Sequence, residues 1–327
     1  MAPHRQDRSP KLLALLDSWT LDLESANRSP GTIRSYSDTI RLLHRYLTHH
    51  QLPATVNTID AEHIRAFLAA VRAGCQADDG GDACPCGFRP TSPGNASKHF
   101  RNLRAYFNWA IREGERTTAH PMSNITAPTV PDNPTDVFTD TQLATLLKTC
   151  SGTTFDDRRD TAIFRILMDT GMRVSSLTGL RYSTDPEDSD VQLARKLLRI
   201  RKKGGDTIFV PIGKKAAAAI DRYLRIRARH PHAESDWLWL GKRGRLQVSG
   251  VQQMLTRRGA RAGVTDVHPH RFRHTFADDW LEAGGDAGDL MRIAGWSSWE
   301  MVRRYGRAAA DRRAWQAHAR LSPGDRI

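Results

Sequence analysis
Several residues of this chain have a chemistry more specific than packing. His270-Arg271-Phe272-Arg273-His274 opens a helical pattern that closes near Gly284-Gly285, and His270, Arg273 and His274 stand in it at i, i+3 and i+4. That spacing sets two imidazoles and a guanidinium on one helix face and turns Arg271 elsewhere. Such a face makes a poor core, because burying these groups unpaired is costly. The plainer alternative is a solvated basic face. Trp296 follows twenty-two residues past His274, and Tyr305 comes nine residues later, in the second turn of a helix that Ser297 and Glu300 would cap. A guanidinium fork binds phosphate oxygens in pairs. An imidazole exchanges protons near neutral pH, and a phenol can act as a nucleophile. Together these groups suit metal-free transfer at a phosphodiester, where fixed cations meet the charge growing on the non-bridging oxygens. The attacking and leaving oxygens then need a proton acceptor and a proton donor. A lone tyrosine on a short helix is more often packing, so Tyr305 takes its meaning from the other groups.

The elements that must position these groups are mostly helices. Residues 1–118 read as a small helical domain, with Ile33, Tyr36, Ile40, Leu43 and Leu47 at helical spacing after Ser29-Pro30. Asp60 caps a helix carrying Ile64, Phe67, Leu68 and Val71 that stops at Gly74. A third helix over 95–112 places Phe100, Leu103, Phe107, Trp109 and Ile111 on its apolar side, with Lys98, Arg101, Arg104 and Arg112 interleaved. Pro121, Pro128, Pro131 and Pro134 mark an extended linker over 119–138. Thr139 or Asp140 then starts a second domain, 139–327. It holds a buried helix ending at Thr170-Gly171, a hairpin of LLRIRK and TIFVPI joined through Lys203-Gly204-Gly205, an Ala-rich helix, the apolar piece WLWL, a helix over 250–262 and a closing set of short helices. The fold class is mainly α with a small β-sheet (α+β). A first helix beginning near residue 11 predicts no separate domain ahead of the helical one.

Composition narrows the partner. Of 327 residues, 39% are hydrophobic and 26% charged, ordinary values for a globular protein of two domains. No apolar run has the length of a membrane span or of a secretory signal, so a cytoplasmic location is expected. Lys plus Arg number 49 against 36 Asp plus Glu, and +11 of the net +13 falls in residues 136–327. A surplus of that size suits a polyanion such as the phosphate backbone of nucleic acid, although an arginine-rich proteome would also produce it. Four cysteines in a chain this long do not suggest a disulfide framework. Cys75, Cys84 and Cys86, with His99 beyond, admit a zinc site, but one residue between Cys84 and Cys86 is short for one. A glycine-rich surface insertion over 75–92 is the favoured reading.

The ordered set His270-x-x-Arg273-His274, Trp296 and Tyr305 resembles the second signature box of the tyrosine recombinases, the phage integrase family. Thr170-Gly171-Met172-Arg173-Val174-Ser175-Ser176-Leu177 is similar to the first box, with Arg173 as its arginine. Lys203, eight residues before Pro211, matches the family's β-hairpin lysine, with Lys202 beside it as the other choice. The resemblance spans about 139–310 and, through helix pattern and linker, extends to the N-terminal SAM-like core-binding domain. It departs from the family at Ser176, where a supporting glutamate is common, and at Trp296, where histidine is commoner.

The resemblance implies a recombinase acting in integration, excision or transposition of DNA. Tyr305 attacks the scissile phosphate, leaving a 3′-phosphotyrosyl bond and a free 5′-hydroxyl. Arg173 and Arg273 clamp the non-bridging oxygens, Lys203 protonates the leaving oxygen and His270 accepts the tyrosine proton. His274 and Trp296 hold the phosphate and the pocket. No cofactor and no metal is implied. The implied partner is double-stranded DNA, gripped by both domains of a homo-tetramer, with no membrane involved and a nucleoid association while on DNA. The tail after Tyr305, with Trp315 as an anchor, docks on a neighbouring protomer or on its own domain. Two other readings stand beside this one: a DNA-binding regulatory or architectural protein with an inactive site, and a type IB topoisomerase-like enzyme that relaxes DNA.

Overall fold
Short polar side chains start the N-terminal helices where the sequence places them. The Ser29 hydroxyl accepts from the Thr32 N–H at the head of α2 (Pro30–His49). The Asp60 carboxylate accepts from Glu62 and His63 at α3 (Ala61–Ala73), and Ser92 accepts from Asn95 at α4 (Pro93–Arg112). With α1 (Leu16–Ser25) these helices close over Trp19, Phe67, Tyr106 and Phe107, all buried. The computed structural model describes residues 10–75, 88–131, 136–201, 207–296, 298–305, 310–322 and 324–326, the side chains of residues 304, 305, 312 and 326 excepted. The chain forms two units, Met1–Asp132 and Asn133–Ile327.

Two expectations for the first unit change. Ile111 is exposed, because the buried stripe of α4 runs through Ala96, Phe100, Leu103, Phe107 and Ala110 and leaves Ile111 at its edge. His99 belongs to that stripe, and its Nδ1 lies 2.9 Å from the Thr39 hydroxyl. Burial, with the charge of Lys98 alongside, holds this imidazole down at about 4. The ring is therefore neutral in the folded protein at neutral pH.

The second unit is built on α6 (Phe155–Thr170), which packs against α8 (Lys214–Arg227) and α10 (Pro269–Glu282). Phe164, Phe272, Tyr223 and Trp239 are the large buried side chains of its core. Thr139 caps α5 (Asp140–Lys148) through a reciprocal pair with Gln142. Phe138, in the stretch read as linker, is buried in the core of this unit. Strands β1 (Val191–Gln192), β2 (Leu197–Arg201) and β3 (Thr207–Pro211) form an antiparallel sheet in that order, with Leu197 opposite Pro211 and Arg201 opposite Thr207. A second hairpin pairs β4 (Leu240–Gly241) with β5 (Gly244–Arg245) and leads to α9 (Val248–Ala262).

Asp160, fully buried, joins α6 to α9. Arg159 donates to its Oδ1 at 3.0 and 2.7 Å, and Arg258 to its Oδ2 at 2.9 and 2.7 Å. Helices α7 (Val174–Thr178), α11 (Ala287–Ala294), α12 (Trp299–Tyr305) and α13 (Ala310–Leu321) complete the unit. Arg313 of α13 donates to Asp278 of α10 at 3.1 Å, whereas Trp315, the expected anchor, is 72% exposed among the described residues. Among the described residues no helix is long and apolar enough to cross a membrane. The mainly helical class with a small sheet is as expected, and β4–β5 adds a second, two-stranded one.

Candidate active site
Helix α10 begins at His268, whose Nδ1 accepts from the Arg271 N–H at 3.3 Å, and Pro269 supplies the first helical residue. The face predicted from spacing divides by depth. His270 is exposed, while Arg273 and His274 are 2% and 8% exposed and form the floor beneath it. Arg271 leaves that face, as its position in the helix requires. It donates to Thr265 O at 2.8 Å, to Val137 O at 3.2 Å and to Gln142 Oε1 at 3.3 Å, with its guanidinium over the Phe138 ring. Two arginines two residues apart thus do different work: Arg271 holds the start of the unit, and Arg273 builds the site.

Arg273 joins three segments distant in sequence. Its Nη1 donates to Gly171 O at 2.8 Å and its Nη2 to Ala294 O at 2.7 Å, and its guanidinium carbon lies 5.0 Å from the centroid of the Trp296 ring. Gly171 ends α6 in the left-handed conformation, φ 53°, where a Cβ would lie 2.7 Å from Phe276 Cδ1. The chain turns there and delivers Arg173 as the residue that starts α7. Gly295 ends α11 in the same conformation, φ 64°, and a Cβ on it would lie 4.0 Å from Arg173 Nη1 and 3.8 Å from Ile208 Cδ1. Two left-handed glycines therefore bring the first motif, the second motif and β3 together. Arg173 is exposed and Trp296 is 7% exposed. The positive charge of two guanidiniums converges on one locality, which suits a phosphoryl group gaining negative charge.

Tyr305 closes α12, which packs on α10 and α11. Met301 and Val302 join Phe276, Ala277, Leu290, Ala294 and Trp296 in a small apolar cluster, so the helix bearing Tyr305 is seated on the same segments that Arg273 links. The Tyr305 side chain lies outside the described residues, as does Ser297, the expected cap. Lys203 and Lys202 also lie outside them; Arg201 and Thr207, paired with each other, flank that turn. Ser176, half-buried, lines a cleft of about 320 Å³ with Ser175, Gly179 and Arg199–Arg201.

The cysteine expectation changes in one respect. Cys75 Sγ lies 3.3 Å from His50 Nε2, while His99 is engaged with Thr39. Cys84 and Cys86 lie outside the described residues, and among the described ones no three metal-binding side chains gather. Sequence reading also passed over Asp190, Arg199 and Arg201. The available signal was the alternation Arg-Ile-Arg on a strand, which puts two like charges on one face and calls for an acid from elsewhere.

Residues 136–312 match the Phage integrase family, and residues 16–78 match the Phage integrase, N-terminal SAM-like domain. The tyrosine recombinase XerC of Ralstonia pickettii is 26% identical over 309 residues, covering 91% of this chain and 87% of that protein. Among solved structures, XerH site-specific recombinase bound to palindromic difH substrate in a post-cleavage complex has a TM-score of 0.66 at 17% identity, covering 93% of this chain and 84% of that one. A lambda integrase tetramer bound to a Holliday junction has a TM-score of 0.64 at 17% identity, covering 94% and 83%. With more than half of the chain matched to the family and its arginines gathered by two glycine turns, the chain belongs to the phage integrase family, that of the tyrosine recombinases.

Proposed function
We propose that this chain cleaves and rejoins double-stranded DNA at a specific site through a 3′-phosphotyrosyl bond to Tyr305. Arg173 and Arg273 neutralise the scissile phosphate, and Trp296 and His274 wall its pocket. His270 at the open rim accepts the phenol proton, and Lys203 donates a proton to the departing 5′-oxygen. A phenol with an ordinary pKa of about 10 is a weak nucleophile at neutral pH. Nearby guanidiniums lower that barrier and a proton acceptor completes it. The observation that carries this reading is Arg273, whose terminal nitrogens are tied to Gly171 O and Ala294 O with Trp296 beside them. It gives each motif matched from sequence a physical link to the other.

DNA as the substrate is supported by the +11 charge of residues 136–327 and by the DNA in the XerH and lambda integrase complexes. Exchange between two duplexes breaks four strands, so we infer a tetramer on DNA in the cytoplasm, as the lambda integrase complex is a tetramer. Residues 1–118 act as the core-binding domain, 119–138 as the linker and 139–327 as the catalytic domain.

The test uses a suicide duplex built on the site that the protein selects from random-sequence DNA, nicked so that cleavage traps the enzyme. Wild-type protein forms a covalent adduct resolved on a denaturing gel, and Tyr305→Phe binds the duplex with unchanged affinity but forms none. An adduct with Tyr305→Phe overturns the assignment. Binding without any adduct from the wild type favours the inactive DNA-binding protein.

A further inference from the structure
Alternation along β2 sends Leu198 and Ile200 into the core and leaves Arg199 and Arg201 on the opposite face. Two guanidiniums two residues apart on one strand face repel each other and need a shared counter-charge. Asp190 supplies it with a side chain only 2% exposed. Its Oδ1 accepts from Arg199 Nε at 2.9 Å and from Arg201 Nε at 3.2 Å, and its Oδ2 accepts from the Arg181 N–H at 2.8 Å. Its backbone joins the same knot: the Asp190 N–H donates to Arg181 O at 3.1 Å, and Asp190 O accepts from the Arg199 N–H at 2.8 Å. Glu187 O takes Arg199 Nη1 at 2.8 Å, and Asp188 O lies 3.5 Å from Arg201 Nη2.

The position of this knot gives it meaning. Arg201 and Thr207 form the last rung of the β2–β3 ladder, and Lys203 stands two residues further along the chain. Arg181, at the other side of the knot, follows α7, which Arg173 starts. One buried carboxylate therefore ties the strand end from which the lysine departs to the segment that carries the first arginine.

We propose that Asp190, acting through Arg201, is a positioning residue for the proton-donating lysine of this hairpin. The proposal rests on the reading of Lys203 as the general acid. A proton donor must reach within hydrogen-bond distance of the leaving oxygen, and a misplacement of about 1 Å costs on the order of a hundredfold in rate.

The test compares the same suicide duplex with an ordinary 5′-oxygen or a 5′-thio leaving group at the scissile phosphate, since a thiolate departs without a proton donor. Lys203→Ala slows cleavage of the oxygen substrate and spares the thio one. Asp190→Asn shows the same split, losing about 30- to 100-fold on oxygen and less than about threefold on sulfur. Arg201→Met, at a side chain 48% exposed, keeps the fold and gives the split at about tenfold, so it decides the matter if Asp190→Asn lacks a cooperative thermal transition. Equal slowing of both substrates by Arg201→Met or by a folded Asp190→Asn overturns the proposal, because a general scaffold or a direct DNA contact would act on both alike. Absence of the split in Lys203→Ala overturns the reading of the lysine as well. Its presence there and absence in the other two overturns only the positioning role.

Discussion

At the scale of single residues, the site turns on what a guanidinium can do that an ammonium cannot. Arg273 is almost fully buried, yet its planar fork reaches two carbonyls on different segments while its charge lies over an indole ring. A lysine would keep the charge and lose the fork. Arg273→Lys is expected to lower single-turnover cleavage of the suicide duplex by about 10²- to 10³-fold, in line with the loss of one preorganised stabilising group. Duplex affinity, carried by many phosphate contacts, should change far less. A variant within tenfold of wild type would show that the fork is dispensable. The spacing of His270, Arg273 and His274 made this face legible in the sequence. The bonds to Gly171 O and Ala294 O were not legible, because their acceptors are backbone atoms that only the folded chain brings near.

At the scale of elements, glycine turns set the geometry. Gly171 and Gly263 both end helices in the left-handed conformation, but only Gly171 has a side chain pressed against it. Gly263→Ala is expected to cost about 1 kcal/mol for the backbone alone. Gly171→Ala adds the overlap with Phe276 and should cost roughly 2–3 kcal/mol, read from chemical denaturation midpoints, with a drop in cleavage as the carbonyl under Arg273 shifts. Equal costs would mean that Phe276 yields freely. Helix positions were legible here because caps and periodicity act locally. Residue type admitted His99 as a ligand, while its place on the stripe of Ala96, Phe100 and Leu103 sends it into the core. Asp190 was passed over because the alternation Arg199-Ile200-Arg201 calls for an acid without saying which one, and only the pairing of β1 with β2 brings Asp190 to both arginines.

At the scale of the whole molecule, the two units have separate cores, and that of the first encloses an acid-sensitive group. His99 is held at about 4 in the fold and has an ordinary value of 6.5 in the unfolded chain. Between those values the unfolded chain binds a proton that the folded one refuses, so stability is present above about 6.5 and falls as pH drops toward 4. The loss approaches roughly 3 kcal/mol. Hydrogen-exchange protection in α2 and α4 should therefore fall between pH 7 and 4.5 once intrinsic exchange is corrected, and His99→Gln should flatten that dependence. An unchanged slope in the variant would assign the acid response to other groups.

The two carbonyls that hold Arg273 have a thermodynamic consequence. Fixing a long side chain costs up to about 2 kcal/mol of rotamer entropy, and here that ordering is completed when the domain folds. On the proposed reading, a phosphate arriving in the pocket would meet a cation already in place, so binding energy need not be diverted to freezing it. Temperature should then bear on strand cleavage mainly through the parts that gather around the substrate later, with the arginine floor behaving as a rigid bed.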